Sequence, residues 1–191
     1  MATVNGKRNI LSLNIDELKQ VVSDLGEASF RAKQIFSWIS KGVTSYDDMT
    51  NVPAKLREEL DKSFYLGLPN IINRQVSKDG TIIVLFEMSY GVRVESVLMR
   101  YSYGNSICIS SQAGCRMGCT FCATAIGGLE RNLSSGEMLG EVLAMKNLIG
   151  ERINHIVVMG MGEPFDNYDN LAGFLKLINV NDGYSLSMRD I

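Results

Sequence analysis

The chain has 191 residues, 46% of them hydrophobic and 21% charged, the composition of an ordinary folded domain with room for a small second one. A net charge of −2 excludes a nucleic-acid binder held by bulk charge, so any RNA contact must come from a local patch. The polar stretch Met1 to Asn9 has no apolar signal core, and no apolar run approaches membrane-spanning length; both point to a reducing cytoplasm with free thiols.

Residues up to about Lys62 read as helical. Asn14 and Glu17 have capping-box spacing, and Leu18, Val21, Val22 and Leu25 follow at helical intervals. Ser29 is placed to cap a second helix, which Lys41-Gly42 ends. Pro53 suits the first position of a third. Phe36, Trp38 and Leu56 are the expected centre of this unit. It holds nine basic and nine acidic residues, for a net charge of zero.

From Phe64 to Met99 the period becomes that of strands. Asn70 to Val76 and Thr81 to Met88 flank Lys78-Asp79-Gly80, a hairpin signal, and Val92 to Met99 follows a second turn. Glu95 lies in this last run, where a carboxylate ordinarily faces solvent. Ser106 to Ser111 reads as a further strand. Ser134 and Glu137 form a capping box, and the helix they open runs to Gly150. Ile153 to Met159 is a buried-type strand, and Asn167 is placed to cap a last helix. Strand–helix–strand–helix implies a parallel sheet with right-handed crossovers.

All four cysteines lie between Cys108 and Cys122. Cys115, Cys119 and Cys122 form C-x3-C-x2-C, with Phe121 before the last. Three thiolates suit a 4Fe–4S cluster that leaves one iron without a protein ligand. Structural zinc, with Cys108 or His155 as fourth ligand, a disulfide framework, and a chance cluster of buried thiols remain as alternatives. The loop Met159-Gly160-Met161-Gly162-Glu163-Pro164 follows a predicted parallel strand, where such folds bind ligands, though alone it reads equally well as a plain turn.

The cysteine spacing resembles the signature of radical S-adenosylmethionine (SAM) enzymes. The wider frame, from Cys108 through Phe121-Cys122-Ala123-Thr124 to Arg131-Asn132-Leu133, resembles the RlmN/Cfr family of rRNA adenine methyltransferases, most closely its dual-specificity RlmN branch. The segment Phe30 to Ile39 is similar to that family's N-terminal accessory domain, which makes Arg31 and Lys33 candidate phosphate contacts. The resemblance implies an α/β fold. A helical accessory domain (1–63) and a β-meander (64–104) precede the first part of a (β/α) radical-SAM barrel (105–191), whose third strand would begin near Ser185. It covers the whole chain but about half of a family member.

The resemblance also implies roles. Cys115, Cys119 and Cys122 would hold the cluster, with Phe121 beside the cofactor. Gly162 and Glu163 would hold the methionyl amino group of SAM, although Met161 stands where the usual motif has glycine. Glu95 matches the family's proton acceptor, a role that partial burial would favour. Cys108 matches the thiol that resolves a methyl-cysteine–RNA link by forming a disulfide. The implied reaction is methylation of adenine carbon 2 in 23S rRNA, with tRNA as a further substrate and flavodoxin or ferredoxin as electron donor. The methyl-carrying cysteine has no candidate among these four, so the 191-residue chain alone should be inactive. Carbon 8 methylation of the Cfr type is the alternative within the family; an inactive, metal-stabilised RNA-binding module is the alternative outside it.

Overall fold

The computed structural model describes residues 3–191; Met1 and Ala2, at the start of the polar stretch, lie outside the described residues. The first segment is not wholly helical. Strands β1 (Thr3–Val4) and β2 (Lys7–Asn9) pair antiparallel, and β2 pairs in parallel with β3 (Phe64–Tyr65). Between them lie α1 (Ile15–Asp24), α2 (Phe30–Ser40) and α3 (Ala54–Ser63). Asn14 caps α1 in a full capping box, accepting from the N–H groups of Asp16 and Glu17. Ser29 makes no side-chain cap bond, and Pro53 sits one residue before α3 rather than inside it. Phe36 and Leu56 are buried in the core, but Trp38 is not at its centre. Its indole N–H donates to Asn51 Oδ1 at 2.6 Å, and Lys41 lies over its ring.

The meander and the strand expected to open the barrel form one sheet. Its order is β10-β7-β6-β5-β4, built from β4 (Asn70–Val76), β5 (Ile82–Glu87), β6 (Arg93–Tyr101), β7 (Gly104–Cys108) and β10 (His155–Val157). The first four run as antiparallel neighbours, and only β7 and β10 are parallel. The free edges are therefore β4 and β10. Between β7 and β10 the chain adds a two-stranded antiparallel ribbon, β8 (Gln112–Gly114) and β9 (Leu129–Asn132), and then α4 (Ser135–Ile149).

Alternation along the strands gives the sheet two unlike faces. Val84, Phe86, Val94, Leu98, Ile107 and Ile156 are buried on the face that α4 covers. Helix α4 opens with the expected Ser134–Glu137 capping box. Its residues from Gly136 to Met145 are buried all round, because the sheet covers one side and the N-terminal unit the other. Gly136 and Gly140 allow that second approach: a Cβ at either would lie 2.6 Å from the Ser12 nitrogen or 2.8 Å from the Gly67 carbonyl oxygen. Helix α5 (Tyr168–Asn179) packs beside α4.

No third barrel strand forms at Ser185. The Leu186 N–H is bound to the Ile178 carbonyl, and its own carbonyl to the Asn179 side chain. Ser187 then caps a single turn at Met188–Asp190. Those bonds hold the segment at the end of α5 rather than along β10.

Candidate cofactor site

The site is built at the end of β7, where the chain leaves the sheet. Cys108 is in register with Val97 on β6 and with Val157 on β10. Glu95 precedes Val97 by two residues, so Cys108 and Glu95 stand on the same face, the one that α4 does not cover. Glu95 is exposed; the burial expected to assist it as a base is absent, because this face of β6 has no covering layer. Cys108 is half-buried, and burial raises its thiol pKa, opposed by an N–H bond from Met159 and assisted by the charge of Glu141.

Beyond Cys108 the chain is zipped to the glycine-containing loop. Ile109 N–H bonds the Val157 carbonyl, Gly160 N–H bonds the Ile109 carbonyl, and the N–H groups of Ser111 and Gln112 both reach the Met161 carbonyl. The Ser110 hydroxyl donates to the Glu95 carbonyl at 2.8 Å and accepts from Met161 N–H at 2.9 Å. Gln112 is fully buried. Its Nε2 donates to Asn132 Oδ1 and Asp166 Oδ2, while its Oε1 accepts the N–H of Glu163 at 2.8 Å. Gly162 packs directly on it. Its φ is +98°, and a Cβ there would lie 2.5 Å from Gln112 Cβ, so this position suits only glycine. The Glu163 carboxylate accepts from Phe165 N–H and caps the short turn that begins at Pro164.

The cysteine loop rises from the ribbon. Cys115 is buried and donates its N–H to the Gly128 carbonyl; Cys119 is exposed and Cys122 half-buried. The N–H of Cys122 bonds the Cys119 carbonyl, closing a turn over Cys119–Cys122, and Gly118 just before it is in the left-handed region. The backbone N–H and hydroxyl of Thr124 lower the Cys122 thiol pKa, which favours the thiolate that metal binding needs. Arg116 on this loop forms a two-pronged bond to Asp166, with Nε–Oδ2 at 2.8 Å. Arg116 and Gln112 together hold the Asp166 carboxyl below its ordinary pKa. The cysteine loop is thus clamped to the turn that follows Glu163.

All four cysteines are free thiols. Among the described residues, no three Cys, His, Asp or Glu side chains lie close enough together to hold a metal. The donor set still fits a cluster: three free cysteines share one tight loop, and the thiol pKa of one of them, Cys122, is lowered by its Thr124 bonds. His155 is engaged elsewhere, 3.6 Å from Asp190 and edge-on to Tyr103. Phe121 is 92% exposed on the outside of the loop. Arg31 and Lys33 already have protein partners: Arg31 bonds Gln34 and the Asn51 carbonyl, and Lys33 pairs with Asp182 at 3.0 Å.

Three residues that organise the site carry no local sequence signal. Gln112 is the first. Asn167 is the second; it does not cap α5 but is buried, donating to the carbonyls of Ser111 and Leu133. Glu141 on α4 is the third. It is fully buried, and its Oε2 accepts from Ser96 Oγ at 2.5 Å and Ser110 N–H at 3.0 Å, so it joins the strand of Glu95 to the segment after Cys108. Burial pushes its pKa up to about 8.

Residues 8–66 match the family model of the ribosomal RNA large subunit methyltransferase N-terminal domain. The chain is 50% identical to a probable dual-specificity RNA methyltransferase RlmN of Clostridium acetobutylicum, over 96% of the chain and 53% of that protein. It is 48% identical to the Lachnoclostridium phytofermentans protein of the same description, over 100% of the chain and 54% of that protein. It superposes on the crystal structure of a radical SAM methyltransferase from Sphaerobacter thermophilus with a TM-score of 0.90 and 35% identity, over 96% of the chain and 55% of that structure. The chain spans about half the length of the curated relatives it matches. With its cysteine loop clamped to the Gly162–Glu163 loop, the chain is thus similar along nearly all of its length to about half of curated RlmN proteins and of a radical SAM methyltransferase.

Proposed function

We propose that this chain supplies the cofactor-holding part of an enzyme that methylates carbon 2 of an adenine in 23S rRNA, and also in tRNA. The observation that carries the reading is the Gln112 and Arg116–Asp166 linkage, which joins the cysteine loop to the Gly162–Glu163 loop directly beside Cys108. A 4Fe–4S cluster, when bound, supplies the electron that cleaves SAM to a carbon-centred radical, chemistry that no side chain provides.

The chain's own residues then divide the work. Cys115, Cys119 and Cys122 hold the cluster. Glu163, fixed through its N–H on Gln112, presents a carboxylate for the ammonium group of SAM, and Gly162 lets the loop lie close against Gln112. Glu95 accepts the proton released from the adenine ring carbon. Its exposure on an uncovered sheet face leaves room for the base, and Cys108 stands on that same face as the resolving thiol. With three cysteines on the cluster and Cys108 resolving, none of the four remains to carry a methyl group, so methyl transfer needs a further cysteine. We retain the division into 1–63, 64–104 and 105–191 as functional parts, although one sheet crosses the second boundary.

Anaerobic reconstitution with iron and sulfide tests the assignment. Cys115→Ala, Cys119→Ala and Cys122→Ala should each abolish cluster absorbance, and Cys108→Ala should leave it intact. Equal loss in all four variants, or stoichiometric zinc in place of iron, would refute it. On the reconstituted protein, Glu163→Ala should weaken SAM binding roughly tenfold to a hundredfold, since a charge-assisted bond contributes about 1.5–3 kcal/mol. Unchanged affinity would remove Glu163 from the site.

A further inference from the structure

The N-terminal unit, the turn before β6 and the start of α4 enclose a cavity of about 350 Å³. It lies on the other side of Asn132 from Gln112, so it adjoins the cofactor site without belonging to it. We propose that this cavity receives an unpaired nucleobase of the RNA, distinct from the adenine that is methylated. The proposal rests on the reading that the substrate is RNA, and four observations favour this ligand.

The lining is uncharged overall. Arg131 and Glu137 are its only ionic side chains, and they neutralise one another through two bonds of 2.9 and 2.7 Å. A phosphate finds no spare positive charge there; a neutral, flat, hydrogen-bonding ring does. Tyr90 offers an aromatic surface. It is 51% exposed, and the Arg131 guanidinium lies 5.8 Å from its ring centre. Bases of unpaired RNA stack on such rings.

The backbone at Tyr90 is strained. Its φ is +71°, a left-handed conformation that is costly for a bulky residue and that persists mainly where function requires it. The lining is also polar. Ser12, Asn132, Ser135 and Asn170 line the cavity without being buried, and their hydroxyl and amide groups offer the donors and acceptors that the edge of a base requires.

The test uses the 191-residue chain and two fluorescent RNA probes, a hairpin with an unpaired loop and a fully paired duplex of the same stem. Tyr90→Gly removes the ring and relieves the backbone, so thermal stability should hold or rise. Affinity for the hairpin should fall about tenfold, while affinity for the duplex stays unchanged. Tyr90→Phe should retain hairpin binding. If Tyr90→Gly folds poorly, Tyr90→Asn, which tolerates the same φ, takes its place. Equal hairpin affinity in wild type and variant overturns the cavity assignment and leaves the RNA reading standing. No binding of either probe by the wild-type chain overturns both.

Discussion

Glu141 makes stability depend on pH in a window where few other groups titrate. In the unfolded chain its carboxyl ionises near the ordinary value of 4.5; in the folded protein burial raises that to about 8. The sign follows from proton counts. Between those values the folded state keeps a proton that the unfolded state has lost, so stability falls as pH rises. The contribution is present in full below pH 4.5 and is lost progressively up to about pH 8. Each pH unit in that interval costs about 1.4 kcal/mol, so the loss by pH 7 is about 3 kcal/mol. That is a large share of a typical stability of about 5–15 kcal/mol. Urea unfolding at pH 5, 6, 7 and 8 measures it. Glu141→Gln keeps the shape and an acceptor for Ser96 and Ser110 but cannot ionise. It should flatten the profile and be the more stable protein at pH 8. The groups with depressed values, Asp166 and Glu151, titrate below this window. A wild-type profile that is flat from pH 5 to 8, or a variant with the same slope, would refute the reasoning. Glu141 would then be an ion held by its two donors.

Two further outcomes follow from the packing of the site. Gly162→Ala should destabilise the protein by about 1–3 kcal/mol, from positive φ and from collision with Gln112, and should weaken SAM binding; denaturant unfolding and SAM titration are the measurements. Asn167→Ala removes a donor from the carbonyls of Ser111 and Leu133, of which Ser111 keeps the Leu133 N–H, and should cost about 1–3 kcal/mol, with faster amide exchange in the ribbon that carries the cysteine loop.

What could be read in the sequence was whatever a few neighbouring residues determine. Asn14 with Glu17 and Ser134 with Glu137 announce helix starts because the cap bonds close within four residues, and both boxes are present. The hairpin around Gly80 was legible for the same reason: one turn fixes its register. The cysteine spacing is equally local. Strands β1 to β3 were not legible, since each has two or three residues and β2 meets β3 more than fifty positions away. Glu141 stands three residues after Met138 and four before Met145, so helical periodicity already places it on the apolar stripe of α4. Its partners were not legible, because Ser96 and Ser110 lie 45 and 31 positions away.

The same distinction holds within the proposed site. The residues that would touch cofactor or substrate sit in short motifs, whereas those that hold the motifs together pair across long separations. Gln112 reaches Glu163 and Asp166, Arg116 reaches Asp166, and Ser110 reaches Glu95 and Met161. Ser110 carries the consequence furthest. Its one hydroxyl joins the strand of the proposed base to the loop of the proposed SAM ligand, and its N–H is taken by Glu141. A displacement of the Gly162–Glu163 loop therefore pulls on β6 beside Glu95 as well as on the segment after Cys108. Glu95, Cys108 and the Gly162–Glu163 loop, the proposed base, thiol and cofactor loop, are positioned as one unit, because a single network of hydrogen bonds, rather than separate local turns, determines where each stands.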